Sequence, residues 1–376
     1  MKEKKKICFM TGTRADYGKL KSLIQISQVH PDLEVHIYVT GMHMLQRYGR
    51  TANEIIKDGY NNLYFDINQN IGDDMSIVVS NTIRSVSHYI HELQPDLLVV
   101  HGDRCEALAG AIVGVMNNTL VAHIEGGELS GTIDDSIRHA VSKLVQIHFV
   151  SNREASERLL RMGETRENVY EIGSPDYDLM FSDHLPNLAE VLDYYDIPFD
   201  EYGIVLFHPV TTDQKKFADY SKALVQAINQ SGHNFVAIYP NNDLGCEYIM
   251  DAFRFLDSDR IKTFPSLSFE RFIVLLKNCS LLVGNSSAGI REAPCYGIPS
   301  LNIGDRQNRR FKHSSITDVT YDEWDILEGI KNNWGRDFSD AKINYFGSGD
   351  SAEKFIACLE NGRFWRTPVQ KVSFDD

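Results

Sequence analysis

The chain has 376 residues, of which 43% are hydrophobic and 24% are charged. This length predicts two domains, and this composition excludes a disordered chain, a collagen-like repeat and a coiled-coil rod. With 38 basic and 52 acidic residues the net charge is −14, which argues against nucleic acid or an anionic membrane as a partner. A small anionic ligand held by a few placed cations remains compatible with this charge.

Short apolar strands alternate with helical segments through the first half of the chain. A helix is predicted from Arg14 onward, with others at 75–93 and 106–116, and strands are predicted at 7–11, 33–39, 97–100, 119–124, 147–150 and 169–172. Continuous Val, Ile and Leu runs separated by helices indicate a parallel sheet covered on both faces.

A polar stretch at 179–202 interrupts this pattern, which then resumes with strands at 204–207, 235–239, 261–264, 281–283 and 300–303. We therefore predict an α/β fold of two doubly wound domains, residues 1–175 and 176–359, with residues 360–376 packing back on the first. Because α/β proteins bind ligands at the carboxyl ends of their strands, we expect the ligand in a cleft where both sheets face each other.

The six cysteines occur singly, with no C-x-x-C pair, so we expect free thiols in a reducing cytosol. No apolar run has the length of a signal peptide core or of a transmembrane helix. The sequence therefore predicts a soluble cytoplasmic protein.

The first predicted strand runs into a glycine-containing turn, TGTRADYGK. This segment is not a P-loop, because Leu20 stands where a Ser or Thr would hold Mg²⁺, and it is not G-x-G-x-x-G. The N–H groups of such a turn, with Arg14 nearby, can meet a phosphate. The alternative is an ordinary turn with a solvated arginine.

Two neighbouring strands end in carboxylates: 97–100 leads to Asp103 and Arg104, and 119–124 leads to Glu125. Adjacent strands lie about 5 Å apart, which predicts a shared site suited to general acid and base catalysis. Asp134 follows, either in that site or as a helix N-cap. His123 and Glu125 resemble metal ligands, but no further motif completes a set, so no metal is expected.

In the second half, His208 and Asn241 each follow a predicted strand, and GNSSAG at 284–289 is predicted to open a helix. Small residues there leave N–H groups available for a diphosphate, and Glu292 could accept hydrogen bonds from a ribose. The alternative is a helix cap with a surface glutamate. Arg306 and Arg310 add cations.

These stretches resemble the hydrolysing UDP-N-acetylglucosamine 2-epimerases of sialic-acid biosynthesis. The matching segments cover about residues 6–360 in the family's order: TGTRADYGKLK, VTGMHM…YGRT, PDLLVVHGDR, HIEGGELSGTIDDSIRHAVSKL, FHPVTTD, YPNND, GNSSAGIREAP and GDRQ…R. The resemblance implies two Rossmann-like domains in a GT-B arrangement, an interdomain active site and a homodimer or homotetramer.

The resemblance also implies the reaction. UDP would leave UDP-N-acetylglucosamine by elimination through a glycal-like intermediate, and water addition would give N-acetylmannosamine, with neither NAD nor a metal as cofactor. Asp103, Glu125 and Asp134 would be the acid/base carboxylates, with Glu125 as the base at carbon 2, and His43 would bind the sugar.

The groups implied to hold the nucleotide are Arg14, Arg104, His208, Asn241, Gly284, Ser286, Ser287, Glu292, Arg306 and Arg310. This chain has Arg309 where many relatives show Gly or Asn, which leaves the contacts of that loop open.

Four alternatives remain open. The substrate could be a nucleotide-linked 2,4-diacetamido-2,4,6-trideoxyhexose, or the enzyme could be a non-hydrolysing epimerase. A glycosyltransferase would need an acceptor. The protein could also be a non-catalytic module that binds a nucleotide sugar, but the three acidic residues at strand and helix ends would then cost desolvation free energy without a catalytic use.

Overall fold

The computed structural model describes residues 4–210, 214–307 and 310–371. Thr211, Thr212 and Asp213 of the FHPVTTD segment, and Arg309, lie outside the described residues.

The described strands form two parallel sheets, ordered β3-β2-β1-β4-β5-β6-β7 and β10-β9-β8-β11-β12-β13. The strands are β1 (Lys5–Thr11), β2 (Leu33–Val39), β3 (Leu63–Phe65), β4 (Leu97–His101), β5 (Leu120–Ile124), β6 (Ile147–Val150), β7 (Val169–Glu171), β8 (Gly203–Leu206), β9 (Phe235–Ile238), β10 (Ile261–Phe264), β11 (Leu282–Gly284), β12 (Ser300–Ile303) and β13 (Ile316–Val319). The predicted α/β fold with two doubly wound sheets is confirmed, whereas the edge strands β3 and β13 were not predicted.

Helices connect these strands. They are α1 (Arg14–Val29), α2 (Ala52–Lys57), α3 (Met75–Leu93), α4 (Cys105–Met116), α5 (Ile133–Leu144), α6 (Arg153–Arg161), α7 (Asp176–Met180), α8 (Leu188–Tyr194), α9 (Gln214–Ser231), α10 (Cys246–Phe253), α11 (Phe269–Lys277), α12 (Glu292–Tyr296), α13 (Glu323–Asn333) and α14 (Ser351–Glu360). Within the described ranges, no helix combines the length and the apolar character needed to cross a membrane.

Helices cover the first sheet on both faces, and successive side chains of a strand point to opposite faces. In β1, Ile7 and Phe9 pack with the apolar residues of α1 and α14. Cys8 and Met10 pack on the other face with residues of α3, α4 and α5. This double burial explains why residues 7–10 of the strand form a continuous apolar run.

The second sheet also packs its apolar side chains against helices. Val205 of β8 and Ala237 of β9 join one apolar cluster with Leu224 of α9 and Ile330 of α13. Its first strand, β8, pairs with β9 on one side and β11 on the other. The order of the chain therefore reverses at β8, and ligands of open α/β sheets bind at such a reversal.

The division into compact units differs from the predicted boundaries. The first unit comprises residues 1–128, 134–183 and 345–376, and the second comprises 129–133 and 184–344. Residues 176–183 belong to the first unit because α7 packs on α1, where the Ser22 hydroxyl donates to the Pro175 carbonyl at 3.2 Å. The C-terminal return begins before residue 360, since Asp178 accepts hydrogen bonds from the Ser351 and Ala352 amides, each 2.8 Å long.

Candidate active site

Glu125 follows β5 at the carboxyl edge of the first sheet and has a left-handed backbone, with φ of +61°. Its N–H donates to the Phe149 carbonyl at 2.9 Å, and its own carbonyl accepts from Nη1 of Arg138 at 2.9 Å. A non-glycine residue keeps such a backbone only where its surroundings impose it, and such strain is concentrated at functional sites.

The buried Glu125 carboxylate is held by three side chains from separate elements. Oε1 lies 3.3 Å from Nζ of Lys19 and accepts a hydrogen bond from the Ser174 hydroxyl. Oε2 lies 3.3 Å from Nε2 of His101. Lys19 also lies 3.0 Å from Asp176, which is buried as well. The buried carboxylate therefore faces two basic groups, the Lys19 ammonium and the His101 imidazole.

His101, the last residue of β4, bridges two acids. Its Nδ1 lies 2.8 Å from Asp16, whose other oxygen accepts the Gly12 N–H at 2.8 Å. Burial alone would lower the pKa of this histidine, but Asp16 and Glu125 outweigh burial and raise the pKa of His101 to about 9. The imidazole is therefore protonated at neutral pH.

Asp103 is connected to Glu125 through one guanidinium. Nη2 of the buried Arg138 donates to the Asp103 carboxylate, while Nη1 of Arg138 donates to the Glu125 carbonyl. Asp134 lies one turn before Arg138 in α5, inside the first turn and not at the N-cap. Arg104 is the N-cap residue of α4. Arg138 thus links the Asp103 carboxylate to the backbone carbonyl of Glu125, and a shared acid/base role for the two carboxylates stays a prediction.

Two predicted histidines are enclosed within the fold. The His43 ring lies 3.1 Å from the Thr11 hydroxyl and 2.6 Å from the Thr51 hydroxyl, and burial lowers the pKa of His43 to about 4. His123 lies 2.7 Å from the Gly102 carbonyl and 3.1 Å from the Ser142 hydroxyl. Each ring therefore has both nitrogens within hydrogen-bond distance of protein atoms. No contact of His43 tests its predicted role in binding the sugar, which stays a prediction.

Arg14 begins α1, where Thr13 is the N-cap. Its Nε donates to Glu54 of α2 at 2.8 Å, and its Nη2 pairs with the other oxygen of the same carboxylate. The alternative of Arg14 as a solvated surface residue is wrong, because its side chain is only 18% exposed.

The second unit has its own polar edge, built around Gly284 and Asn285. Gly284 has φ of +142°, and a Cβ there would lie 1.8 Å from the Leu206 carbonyl oxygen, so only glycine fits. The Asn285 side chain accepts from the His208 N–H at 2.7 Å and donates to the His208 carbonyl at 2.8 Å. Asn285 therefore joins the ends of β8 and β11.

The tautomer of His208 follows from its neighbour. Its Nδ1 accepts the Asn241 backbone N–H at 3.3 Å. A neutral imidazole that accepts at Nδ1 carries its proton at Nε2. His208 is therefore arranged as an Nε2–H donor.

The GNSSAG segment differs from the prediction in its local structure. It continues as a 3-10 helix at Ser287–Gly289, in which the Ser286 hydroxyl caps the Ala288 N–H, and the α-helix begins only at Glu292. Since Glu292 is buried, the alternative of a surface glutamate is wrong.

Two arginines after β12 lie on the same edge. Nη1 of Arg306 and Nε2 of Gln307 both donate to the Asn285 carbonyl, at 3.1 and 2.9 Å. Nη1 of Arg310 lies 3.3 Å from Oε1 of Gln307. Hydroxyl, amide and guanidinium donors at one sheet edge can bind a phosphate or diphosphate.

Sequence reasoning noted His101 at the end of its strand but gave it no role, and it gave none to several other side chains of these two edges: Asp16, Lys19, Arg138, Ser174, Asp176, Asn285 and Gln307. Lys19 and Asp16 carried a signal, because they are charged residues three positions apart on the helix that follows the glycine turn. Among the residues that the structure describes, no group of three or more His, Cys, Asp or Glu is arranged to hold a metal ion.

Comparison with known proteins identifies the family. The family model described as "UDP-N-acetylglucosamine 2-epimerase" matches residues 26–360. A Neisseria meningitidis protein named UDP-N-acetylglucosamine 2-epimerase is 47% identical over 99% of both chains. A Legionella pneumophila protein named UDP-N,N'-diacetylbacillosamine 2-epimerase (hydrolyzing) is 31% identical over 95% of this chain and 96% of its own.

A solved structure confirms the fold. The crystal structure of a Neisseria meningitidis UDP-GlcNAc 2-epimerase bound to UDP-GlcNAc superposes with a TM-score of 0.78 at 17% identity, covering 95% of this chain and 100% of that chain. The family model over residues 26–360 and the 47% identical relative show that the chain belongs to the UDP-N-acetylglucosamine 2-epimerase family.

Proposed function

We propose that the protein is a hydrolysing UDP-N-acetylglucosamine 2-epimerase, which converts UDP-N-acetylglucosamine and water to UDP and N-acetylmannosamine for sialic-acid biosynthesis. We propose further that it acts in the cytoplasm as a homodimer or homotetramer. The observation that carries the proposal is the buried Glu125 carboxylate, held between His101, Lys19 and Ser174.

In the first step, Glu125 takes the proton from carbon 2 of the sugar. The electron pair of that C–H bond forms the C1–C2 double bond, and the C1–O bond to UDP breaks. The fixed hydrogen bonds of Glu125 hold its carboxylate in place while this proton moves, which is the positioning that general-base catalysis needs.

The departing UDP carries the negative charge that develops in this step. We propose that Arg14, Arg104 and the polar edge of the second unit bind it. This edge consists of His208, Asn241, Gly284, Ser286, Ser287, Glu292, Arg306 and Arg310. Donors already held in position stabilise a developing charge without reorganising.

In the second step, water adds at carbon 1 and carbon 2 is reprotonated on the opposite face. We propose that Asp103 and Asp134 take the proton of water and return a proton to carbon 2. The hydrogen bond from Arg138 fixes Asp103, and Arg138 lies on the same helix as Asp134.

The test is a paired assay in D₂O. Purified enzyme with UDP-N-acetylglucosamine should release free UDP and give N-acetylmannosamine with deuterium at carbon 2. Glu125→Gln should bind UDP like the wild type and release almost none from the substrate. Release of UDP by this variant at the wild-type rate would contradict the role of Glu125, and a product without deuterium would exclude elimination.

A second candidate is the same chemistry on a nucleotide-linked 2,4-diacetamido-2,4,6-trideoxyhexose. The name of the Legionella pneumophila relative supports it. Assays of both substrates under the same conditions distinguish the two by kcat/KM. A non-hydrolysing epimerase would convert UDP-N-acetylglucosamine to UDP-N-acetylmannosamine without free UDP.

A further inference from the structure

The side chain of Arg14 is oriented by a second helix. Nε and Nη2 of Arg14 both pair with the Glu54 carboxylate, so a single glutamate engages one whole edge of the guanidinium. A two-point contact of this kind fixes the plane of the guanidinium, whereas a single hydrogen bond leaves it free to rotate. The direction of every N–H group of Arg14 is then set by the position of Glu54.

The helix that carries Glu54 is itself fixed in two ways. Thr51, at its N-cap position, has its hydroxyl 2.6 Å from His43, which also contacts Thr11 at the end of β1. At the other end, Asp58 lies 2.9 Å from Nζ of Lys21 in α1.

The Asp58 carboxylate also accepts a hydrogen bond from the Tyr17 hydroxyl. Helix α2 is therefore attached to β1 and α1 through contacts that do not involve Arg14. The position of Glu54 is thus set independently of the arginine that it contacts.

We propose that Glu54 is a positioning residue, which orients Arg14 to receive the diphosphate of the nucleotide sugar. This inference rests on the proposed function, in which Arg14 binds the departing UDP. Glu54 also offsets part of the charge of Arg14, so two effects oppose each other. A guanidinium whose plane is already fixed loses less freedom when it binds phosphate. We therefore expect the gain in UDP affinity from orienting Arg14 to exceed the loss from partly neutralising its charge.

The test compares Glu54→Gln with Glu34→Gln. Each change removes one carboxylate charge from the first unit, but the Glu34 carboxylate pairs with His36 on β2 and takes no part in holding α2. Titration calorimetry with UDP should show Glu54→Gln weakening the affinity about 5- to 10-fold, with Glu34→Gln within about twofold of the wild type. An unchanged or tighter affinity in Glu54→Gln, or an equal loss in both variants, would overturn the inference.

A double-mutant cycle separates orientation from general electrostatics. In an Arg14→Lys background, Glu54→Gln should produce no further loss of UDP affinity, because lysine presents no plane to orient. The same loss in both backgrounds would overturn the inference.

Arg14→Ala distinguishes the inference from the proposed function. If Arg14→Ala weakens UDP binding while Glu54→Gln does not, the Glu54 inference fails and the proposed role of Arg14 stands. If Arg14→Ala binds UDP like the wild type, the role of Arg14 and the inference both fail. In either case UDP release by the wild-type enzyme tests the proposed reaction separately.

Discussion

Nε2 of His101 lies 3.3 Å from Oε2 of Glu125 inside the first unit, with Asp16 on the opposite side of the ring. A protonated imidazole between two buried carboxylates stabilises both, and it fixes the side chain that we propose as the base. We therefore expect the contact between His101 and Glu125 to affect both the activity and the stability of the protein.

Replacing His101 with glutamine tests the effect on activity. We expect kcat to fall by about 10- to 100-fold with a smaller change in UDP affinity, because positioned proton transfer is worth about 100-fold or more and Glu125 itself remains. Steady-state UDP release and calorimetry with UDP measure the two effects. A wild-type kcat in His101→Gln would contradict the role of His101.

The stability of the first unit should fall in alkaline solution. Folding raises the pKa of His101 from 6.5 to about 9, so the stabilisation is complete below about pH 6.5 and is lost as the pH rises through about 9. This difference corresponds to about 3 kcal/mol. Urea unfolding at pH 6 and pH 9.5 measures it, and His101→Gln should lose less stability across this range.

Gly284→Ala should destabilise the second unit strongly. Its Cβ would collide with the Leu206 carbonyl at 1.8 Å, at a φ of +142°, and we expect a loss above about 3 kcal/mol. Gly335→Ala is the matched control, because Gly335 has φ of +65° and a Cβ there would meet no atom within 4 Å. The control should cost about 1 kcal/mol. Equal urea midpoints for the two variants would contradict the collision.

Asn285→Ala should weaken UDP binding as well as the fold. It removes both hydrogen bonds to the His208 backbone, which we expect to cost about 2–4 kcal/mol. The control is Asn302→Ala, since Asn302 is a buried asparagine of the same sheet that donates to Asp318 and does not contact His208. A selective loss of UDP affinity in Asn285→Ala would support its role at the site, and equal affinities would contradict it.

Lys371→Met should destabilise the first unit. Nζ of Lys371 donates to the Ser142 and Lys143 carbonyls at the end of α5 and lies 2.5 Å from Glu164. Losing these contacts should cost about 1–3 kcal/mol. Lys354→Met removes only an exposed ion pair with Asp350 and should cost less than about 1 kcal/mol. Thermal unfolding of both variants measures the difference.

The sequence predicts every strand in the interior of the two sheets, and also the edge strands β7 and β10. Strands β1 and β4 contain unbroken apolar runs at 7–10 and 97–100, and each matches its prediction within two residues. Strands β3 and β13 are short edge strands that are partly exposed, and no long apolar run marks them. The early C-terminal return was missed because the apolar residues of α14 look like those of any other helix until their partners are known.

The sequence alone proposes candidate site residues where a polar side chain follows a strand directly, as at Asp103, Glu125 and His208. The supporting residues were not predictable in the same way. Lys19, Ser174 and Asn285 become meaningful only through tertiary contacts, and Ser174 lies 49 positions from the carboxylate to which it donates. Helix registers and loop paths decide these contacts, and the local pattern of residues does not encode them.

The first sheet receives part of its aromatic cover from the last residues of the chain. Phe355 of α14 lies 4.9 Å from Phe149 and 6.2 Å from Phe9 between ring centroids, and Phe364 lies 6.1 Å from Phe149. During synthesis, residues 184–344 leave the ribosome before these aromatic rings do. Residues 184–344 of the second unit are therefore available before α14 can complete the cover that α1 provides on one face of the first sheet. A chain cut short before Phe355 would expose Phe9 and Phe149, the kind of apolar surface that chaperones and proteases recognise.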